Sequence, residues 1–149
     1  MSKKIKSILF VCKGNAARSI IAECIINNFY NNRFKAYSAG SNPDGKINDH
    51  IKNYLEKRKI NMDQYYSKNF DKFINDQIQI DYIISVCTSA HNSISPVLPK
   101  NKKISNWDIE KPIQQFKKTK SEKEINVIIE KMYNTINKKI EDWIKNINN

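Results

Sequence analysis

One stretch near the N-terminus constrains this chain more than any other. Residues 8–23, ILFVCKGNAARSIIAE, begin as an apolar run typical of a buried strand and end in a helical pattern. The turn between these elements carries Cys12 and Arg18, which are separated by five residues. A loop of this kind can wrap its backbone N–H groups around a tetrahedral oxyanion, at the positive end of the following helix. The stretch therefore predicts an anion-binding turn between a strand and a helix.

The two reactive side chains of this turn indicate its chemistry. A thiol beside a helix N-terminus and a cation loses its proton readily, so we expect Cys12 to be a thiolate nucleophile at neutral pH. Arg18 can contact two oxygens of an anion and stabilise charge in the transition state. The expected oxyanion-binding residues are Lys13, Gly14, Asn15, Ala16, Ala17 and Arg18. The alternative is that Cys12 is a buried cysteine at a strand end and Arg18 a surface residue.

The rest of the chain alternates apolar strands with helical patterns, which is typical of a parallel, doubly wound α/β sheet. We expect strands at residues 5–12, 34–38, 80–87 and 103–106, helices at 17–30, 47–55, 70–74 and from 121 onward, and a loop at 88–99. Ligands of such sheets bind beyond the C-terminal ends of the strands. Cys12 and Cys87 end two of the predicted strands and Asp108 follows another, so all three should share one rim.

Composition narrows the class of protein. The 149 residues suit a single domain over 1–149, and no apolar run is long enough to span a bilayer. The net charge is +11, but the lysines are scattered and no nucleic-acid-binding motif is visible, so we expect neither a nucleic acid nor a membrane as partner. Three cysteines and two histidines show no zinc spacing, and we predict no metal. An odd, small number of cysteines favours reduced thiols in the cytoplasm.

The segment VCKGNAARS at 11–19 resembles the signature loop of the low-molecular-weight protein tyrosine phosphatase superfamily, which includes arsenate reductases. The resemblance continues through YSAG at 37–40, DYIISVC at 81–87 and NWD at 106–108, and it covers about residues 5 to 113. It implies a three-layer α/β fold with four parallel strands in the order 2-1-3-4. It also implies that Asn15 braces the loop and that Ser19 donates a hydrogen bond to the Cys12 thiolate. A simple helix N-cap is the alternative for Ser19.

One family position departs from the pattern. The phosphatases usually supply a proton donor from an aspartate followed by proline, and this chain has Lys111 before Pro112 there. A lysine ammonium is a poor proton donor at neutral pH, so Asp108 or Glu110 would have to act as the acid. This departure weakens the prediction of tyrosine-phosphate hydrolysis, since a phenolate leaving group needs that proton.

Other positions are similar to the arsenate reductase branch. Ala17 stands where many phosphatases carry a second cysteine, and the segment SAGSNPDG at 38–45 lacks their tryptophan. Arsenate reductases end the third strand with a cysteine, here Cys87, which in the thioredoxin-coupled members attacks the first cysteine. Those members carry another cysteine several residues later, and residues 92–96 contain none. Either Cys87 closes the cycle alone or an external thiol does, namely thioredoxin, glutathione or mycothiol. The alternative is an inert strand-end thiol.

The sequence therefore predicts an arsenate reductase-like thiol enzyme with Cys12, Arg18, Ser19, Asp108 and Cys87 as catalytic residues. Its ligand would be a small oxyanion such as arsenate, phosphate or sulfate, with a thiol-redox partner and no tightly bound cofactor. The alternatives are a tyrosine phosphatase acting on phosphotyrosine peptides through a cysteinyl-phosphate, and an oxyanion-binding protein with degraded catalysis. Three residues match positions that bind a monovalent cation in some arsenate reductases, but we do not predict that ion here: Asn15, Glu23 and Ser38.

Overall fold

The computed structural model describes residues 4–75, 79–98, 104–109 and 121–147. Within these ranges the strands are β1 (Lys6–Cys12), β2 (Phe34–Gly40), β3 (Tyr82–Ser85) and β4 (Ile104–Asn106). The helices are α1 (Arg18–Phe29), α2 (Asp49–Lys57), α3 (Asp71–Asn75), α4 (Thr88–Ile94) and α5 (Glu122–Ile147), and a 3₁₀ turn at Ser95–Val97 follows α4. The strands form one parallel sheet in the order β2-β1-β3-β4, which confirms the predicted order.

Strand β1 is the centre of the sheet and of the core. Its last five residues, from Ile8 to Cys12, are all buried. Successive side chains of a strand point to opposite faces, so helices must cover both faces of the sheet at β1. Helix α1 contacts β1, β2 and α5. It is buried from Arg18 to Ile26 without a polar face, because neighbours cover it on more than one side.

Helix α5 closes the structure with a long apolar stripe. The Ser121 hydroxyl accepts a hydrogen bond from the Glu124 N–H at 3.4 Å, as the side chain of a helix N-cap does. At the other end of α5, the Trp143 ring lies 5.5 Å from the Phe34 ring and 5.0 Å from the Tyr82 ring. The buried residues of the stripe are Ile125, Ile129, Met132, Tyr133, Ile136, Ile140 and Ile144.

The predicted loop at 88–99 is wrong over most of its length. Helix α4 begins at Thr88, with only two residues between it and the end of β3, and the 3₁₀ turn continues to Val97. Cys87 caps α4, since its sulfur accepts a hydrogen bond from the Ala90 N–H at 3.4 Å. Ala90 and Ile94 are the buried residues of this short helix. Two apolar positions among serines and asparagines are too few to reveal a helix by periodicity.

The strand register places the C-terminal ends of the strands together. Cys12 pairs with Gly40 on one side, and Val11 pairs with Ser85 on the other. This edge of the sheet is the one at which parallel α/β folds bind ligands.

No helix in the described part of the chain has the length and apolar character needed to cross a membrane.

Candidate active site

The turn after β1 is held from outside by the segment 41–48. Four of its carbonyl groups accept hydrogen bonds from backbone N–H groups of that segment. The pairs are Cys12 with Ser41 (3.1 Å), Lys13 with Asn42 (2.8 Å), Gly14 with Asp44 (2.9 Å) and Ala16 with Asn48 (3.0 Å). The Ser67 hydroxyl also donates to the Gly14 carbonyl at 3.2 Å. The outer side of the turn is therefore held by hydrogen bonds at four of its carbonyl groups.

This arrangement determines the direction of the amide N–H groups. In a trans peptide the carbonyl and the following N–H point in opposite directions. The carbonyls of the turn point toward segment 41–48, so the N–H groups that follow them point to the inner side. The Asn15 N–H bears this out, since it donates to the Cys12 sulfur at 3.1 Å. The turn thus directs donors toward the sulfur, as an oxyanion cradle requires.

Asn15 braces the turn from within. Its backbone has φ 47°, in the left-handed region where asparagine is better tolerated than most residues. Its side-chain oxygen accepts the Lys68 N–H at 2.8 Å. Its side-chain nitrogen donates to the Ser19 hydroxyl at 2.8 Å and to the Ser38 hydroxyl at 3.0 Å. The backbone donor at Lys68 fixes which end of the amide is the oxygen, so both serines receive a hydrogen bond.

Ser19 contacts the predicted nucleophile directly. Its hydroxyl oxygen lies 2.8 Å from the Cys12 sulfur, and both residues are buried. Because Asn15 donates into this hydroxyl oxygen, the single hydroxyl proton is directed to the sulfur. Ser19 lies inside α1, whose N-cap is Ala17, so it is not the helix cap. The sulfur therefore faces two donors, the Asn15 amide and the Ser19 hydroxyl.

A buried carboxyl stands at the far end of the same hydrogen-bond chain. The Ser38 hydroxyl donates to the Glu23 carboxyl oxygen, and Glu23 is 7% exposed. Burial raises the pKa of Glu23 to about 7, although nearby Lys68, the Ser38 hydrogen bond and Lys35 each act to lower it. Direct hydrogen bonds thus join the three residues that match cation-binding positions of some arsenate reductases, namely Asn15, Ser38 and Glu23.

Arg18 is buried and anchored. One terminal nitrogen of its guanidinium donates to the Ile109 carbonyl at 2.8 Å. The Ile109 N–H in turn donates to the Val86 carbonyl at 3.0 Å, which ties this contact to the end of β3. A guanidinium has five N–H donors in a rigid plane, so the contact orients Arg18 and leaves further donors for an anion. The alternative of a surface arginine is wrong, since Arg18 is 7% exposed.

Cys87 lies on the neighbouring strand end. The Val86 N–H donates to the Val11 carbonyl at 2.8 Å, so Cys87 follows directly beyond the pairing of β3 with β1. Its side chain is buried, and its sulfur is a free thiol like the other two cysteines. Cys24, by contrast, lies in the interior of α1, where burial raises the pKa of its thiol well above the ordinary range. Cys24 is a core residue.

Asp108 lies on the same rim but in a different setting. It is exposed, has φ 44° and accepts a hydrogen bond from the Thr88 hydroxyl at 3.0 Å. Glu110 and Lys111, the other residues weighed for the position of the acid, lie outside the described residues. Lys13 is exposed, whereas Ala16 and Ala17 are buried in the turn.

Sequence reasoning missed three contributors to the site. The Ile109 carbonyl holds Arg18, the Lys68 N–H orients Asn15, and the Thr88 hydroxyl contacts Asp108. The first two are backbone groups, which every residue type carries, so no sequence signal could have identified them.

Comparison with known proteins gives a family, similar sequences and similar folds. Residues 7–149 match the family described as "Low molecular weight phosphotyrosine protein phosphatase". The arsenate reductase of Staphylococcus aureus (strain N315) is 30% identical over 131 residues, which is 85% of this chain and 95% of that protein. The YwlE arginine phosphatase from Geobacillus stearothermophilus superposes with a TM-score of 0.69 at 18% identity, covering 95% of this chain and 94% of that chain. A thioredoxin-dependent arsenate reductase of Corynebacterium glutamicum superposes with a TM-score of 0.61 at 21% identity. That superposition covers 95% of this chain and 63% of the other.

Proposed function

The chain belongs to the low molecular weight phosphotyrosine protein phosphatase family, and from this premise we propose that it is an arsenate reductase with Cys12 as nucleophile. The observation that carries the proposal is the Cys12 sulfur in contact with the Asn15 N–H and the Ser19 hydroxyl. Both are donors that stabilise an anion on sulfur. Arg18, which is buried and separated from Cys12 by five residues, supplies the guanidinium for the oxyanion.

The proposed reaction has two steps. The Cys12 thiolate attacks the arsenic of bound arsenate, a sulfur–arsenic bond forms, and one arsenate oxygen leaves as water after protonation. A second thiolate then attacks the Cys12 sulfur, a sulfur–sulfur bond forms, and the sulfur–arsenic bond breaks. The electron pair of that bond stays on arsenic, which leaves as arsenite. Two thiols are oxidised to one disulfide while arsenic(V) is reduced to arsenic(III).

Cys87 is our candidate for the second thiol. It lies two residues after the end of β3, which pairs with β1, and its sulfur caps α4 as a free thiol. The Cys12–Cys87 disulfide would then be reduced by an external thiol, and thioredoxin, glutathione and mycothiol all remain candidates. Three free cysteines suit a reducing compartment such as the cytoplasm.

A phosphatase remains the second candidate, because the same cradle would hold a phosphate monoester and form a cysteinyl-phosphate. Two features favour the reductase. Relatives named arsenate reductase are about 30% identical over most of this chain, and Lys111 stands where the phosphatases carry their acid. A phenolate leaving group depends on that proton more than arsenate reduction does.

The test is a comparison of two activities in one preparation. We expect thioredoxin or glutathione to be oxidised in the presence of arsenate, and NADPH consumption in a coupled assay measures this oxidation. We expect only weak hydrolysis of an aryl phosphate. Cys12→Ser should abolish both activities, and Cys24→Ser serves as the matched control because Cys24 is in the core. Rapid aryl-phosphate hydrolysis without arsenate turnover by any thiol donor would replace the reductase by the phosphatase. Phosphate binding without either activity would leave an oxyanion-binding protein.

A further inference from the structure

The contact that orients Arg18 comes from a short segment after β4. The Ile109 carbonyl accepts from the guanidinium at 2.8 Å. Two backbone hydrogen bonds attach this segment to the neighbouring strand end, from Trp107 N–H to the Ser85 carbonyl at 2.8 Å and from Ile109 N–H to the Val86 carbonyl at 3.0 Å. The backbone conformation between these two attachments therefore helps to set the position of Ile109, whose carbonyl contacts Arg18.

The residue between the two attachments is Asp108, and its backbone is strained. A φ of 44° is in the left-handed region, which costs a residue with a side chain about 1 kcal/mol. The Asp108 N–H donates to the Asn106 side-chain oxygen at 3.2 Å. The Asp108 carboxylate accepts from the Thr88 hydroxyl at 3.0 Å. These side-chain contacts on either side of the Asp108 backbone oppose its return to an ordinary conformation.

The direction of the Thr88 hydrogen bond is also determined. The Asn106 side-chain nitrogen donates to the Thr88 hydroxyl oxygen at 3.3 Å, while the Asn106 side-chain oxygen is occupied by the Asp108 N–H. The one proton of the Thr88 hydroxyl is therefore free for the Asp108 carboxyl oxygen. In this arrangement one carboxyl oxygen of Asp108 accepts a hydrogen bond from the first residue of α4.

We propose that Asp108 is a positioning residue, whose hydrogen bond from Thr88 holds the left-handed turn that places the Ile109 carbonyl on the Arg18 guanidinium. This assignment rests on the proposed function, in which Arg18 binds the oxyanion. It replaces the expectation that Asp108 donates a proton to the leaving group. The two roles can be separated by substitution, since positioning needs only an acceptor oxygen at residue 108, whereas a general acid must also carry a proton.

Substitutions that separate the two roles are available. Asparagine at 108 tolerates the left-handed backbone and still accepts from Thr88, but it cannot act as an acid. Glycine at 108 keeps the backbone conformation accessible and removes the acceptor. Thr88→Val removes the donor with little change of shape. Ser93→Ala is the matched control, because its hydroxyl donates to the Ser89 carbonyl within α4 at 3.1 Å.

The measurements are the dissociation constant for inorganic phosphate by calorimetry and the KM and kcat for arsenate. We expect Asp108→Gly and Thr88→Val each to weaken phosphate binding and raise KM about fivefold, as the loss of one hydrogen bond would. Asp108→Asn should stay within about twofold of the unsubstituted protein, with the same pH profile, since it keeps that hydrogen bond. The double variant Asp108→Gly, Thr88→Val should be no weaker than either single variant, because both remove the same contact. Ser93→Ala should change nothing.

Two results would overturn the proposal. One is that Asp108→Asn loses kcat as fully as Asp108→Gly, with a lost limb in the pH profile, which is the behaviour of a general acid. The other is that Asp108→Gly and Thr88→Val bind phosphate as the unsubstituted protein does. Failure of the proposed function looks different, because the unsubstituted protein would then neither bind phosphate nor turn over arsenate. Thermal unfolding of each variant identifies any loss that comes from misfolding.

Discussion

Asn15 shows at the scale of one residue why the turn after β1 has its shape. Its side chain accepts one hydrogen bond and donates two, while its backbone N–H donates to the Cys12 sulfur. The same residue adopts φ 47°, a conformation that asparagine tolerates and most residues avoid. Conformation and hydrogen bonding therefore select the same residue type at this position. The order of donors and acceptors through Asn15 also directs the Ser19 proton toward the sulfur.

Substitution of Asn15 separates these two contributions. We expect Asn15→Gly to lower the free energy of unfolding by about 2–3 kcal/mol, because buried serine hydroxyls lose their donors. Asn15→Ala should lower it by about 1 kcal/mol more, because alanine also pays for the left-handed backbone. Urea denaturation of both variants measures the difference. Equal stability of the two variants would show that the backbone at this position is not strained.

At the scale of elements, the site depends on how closely β2 approaches the turn. An ideal Cβ on Gly40, the last residue of β2, would lie 2.6 Å from the Lys13 carbonyl oxygen. An ideal Cβ on Gly14 would lie 2.7 Å from a carboxylate oxygen of Asp44, which is at the end of an exposed side chain. The first neighbour is a backbone atom of the turn after β1, whereas the second is a side-chain atom that can rotate away.

The two glycines provide a matched pair. We expect Gly40→Ala to displace the Lys13 peptide and weaken binding of inorganic phosphate at least tenfold, since the cradle loses its geometry. Gly14→Ala should weaken binding much less, because the Asp44 side chain gives way. Calorimetric titration with phosphate measures both. The reverse order of effects, with Gly14→Ala the more damaging, would mean that β2 does not set the position of the turn.

The sequence was informative about elements to different degrees. The strong apolar run of β1 and the cysteine-to-arginine turn predicted the sheet centre and the site, and the order β2-β1-β3-β4 followed from the family resemblance. Helix α4 was missed because its two buried residues, Ala90 and Ile94, leave no visible period. The anchor of Arg18 was missed because it is the carbonyl of Ile109, 91 positions along the chain, and tertiary backbone contacts have no local sequence pattern.

At the scale of the whole molecule, burial of Glu23 links the site to stability. In the folded protein the pKa of Glu23 is raised from 4.5 to about 7, chiefly by loss of solvation. The folded state therefore holds the proton to higher pH than the unfolded state does. The protonated Glu23 carboxyl therefore contributes fully to the free energy of unfolding below pH 4.5, and this contribution is lost as the pH rises through 7. A buried ionisable group with a strongly raised pKa is typical of functional sites.

Glu23→Gln should remove this pH dependence. Glutamine can still accept the Ser38 hydrogen bond, but it does not ionise, so no charge is buried at high pH. Relative to the unsubstituted protein, we expect the variant to gain about 3 kcal/mol in the free energy of unfolding between pH 5 and pH 8. Urea denaturation at the two pH values gives the comparison, and Glu56→Gln, at an exposed position in α2, is the control. Parallel pH profiles for the variant and the unsubstituted protein would refute the linkage.

The reactivity of Cys12 with iodoacetamide at neutral pH bears most closely on the proposed chemistry, and peptide mass spectrometry with and without inorganic phosphate measures its rate. We expect Cys12 to react faster than a free thiol, because the Asn15 N–H and the Ser19 hydroxyl are placed to stabilise a negative charge on its sulfur. Phosphate should suppress the reaction by occupying the turn after β1. An alkylation rate no faster than that of an ordinary thiol and unchanged by phosphate would mean that this turn neither activates Cys12 nor binds an oxyanion.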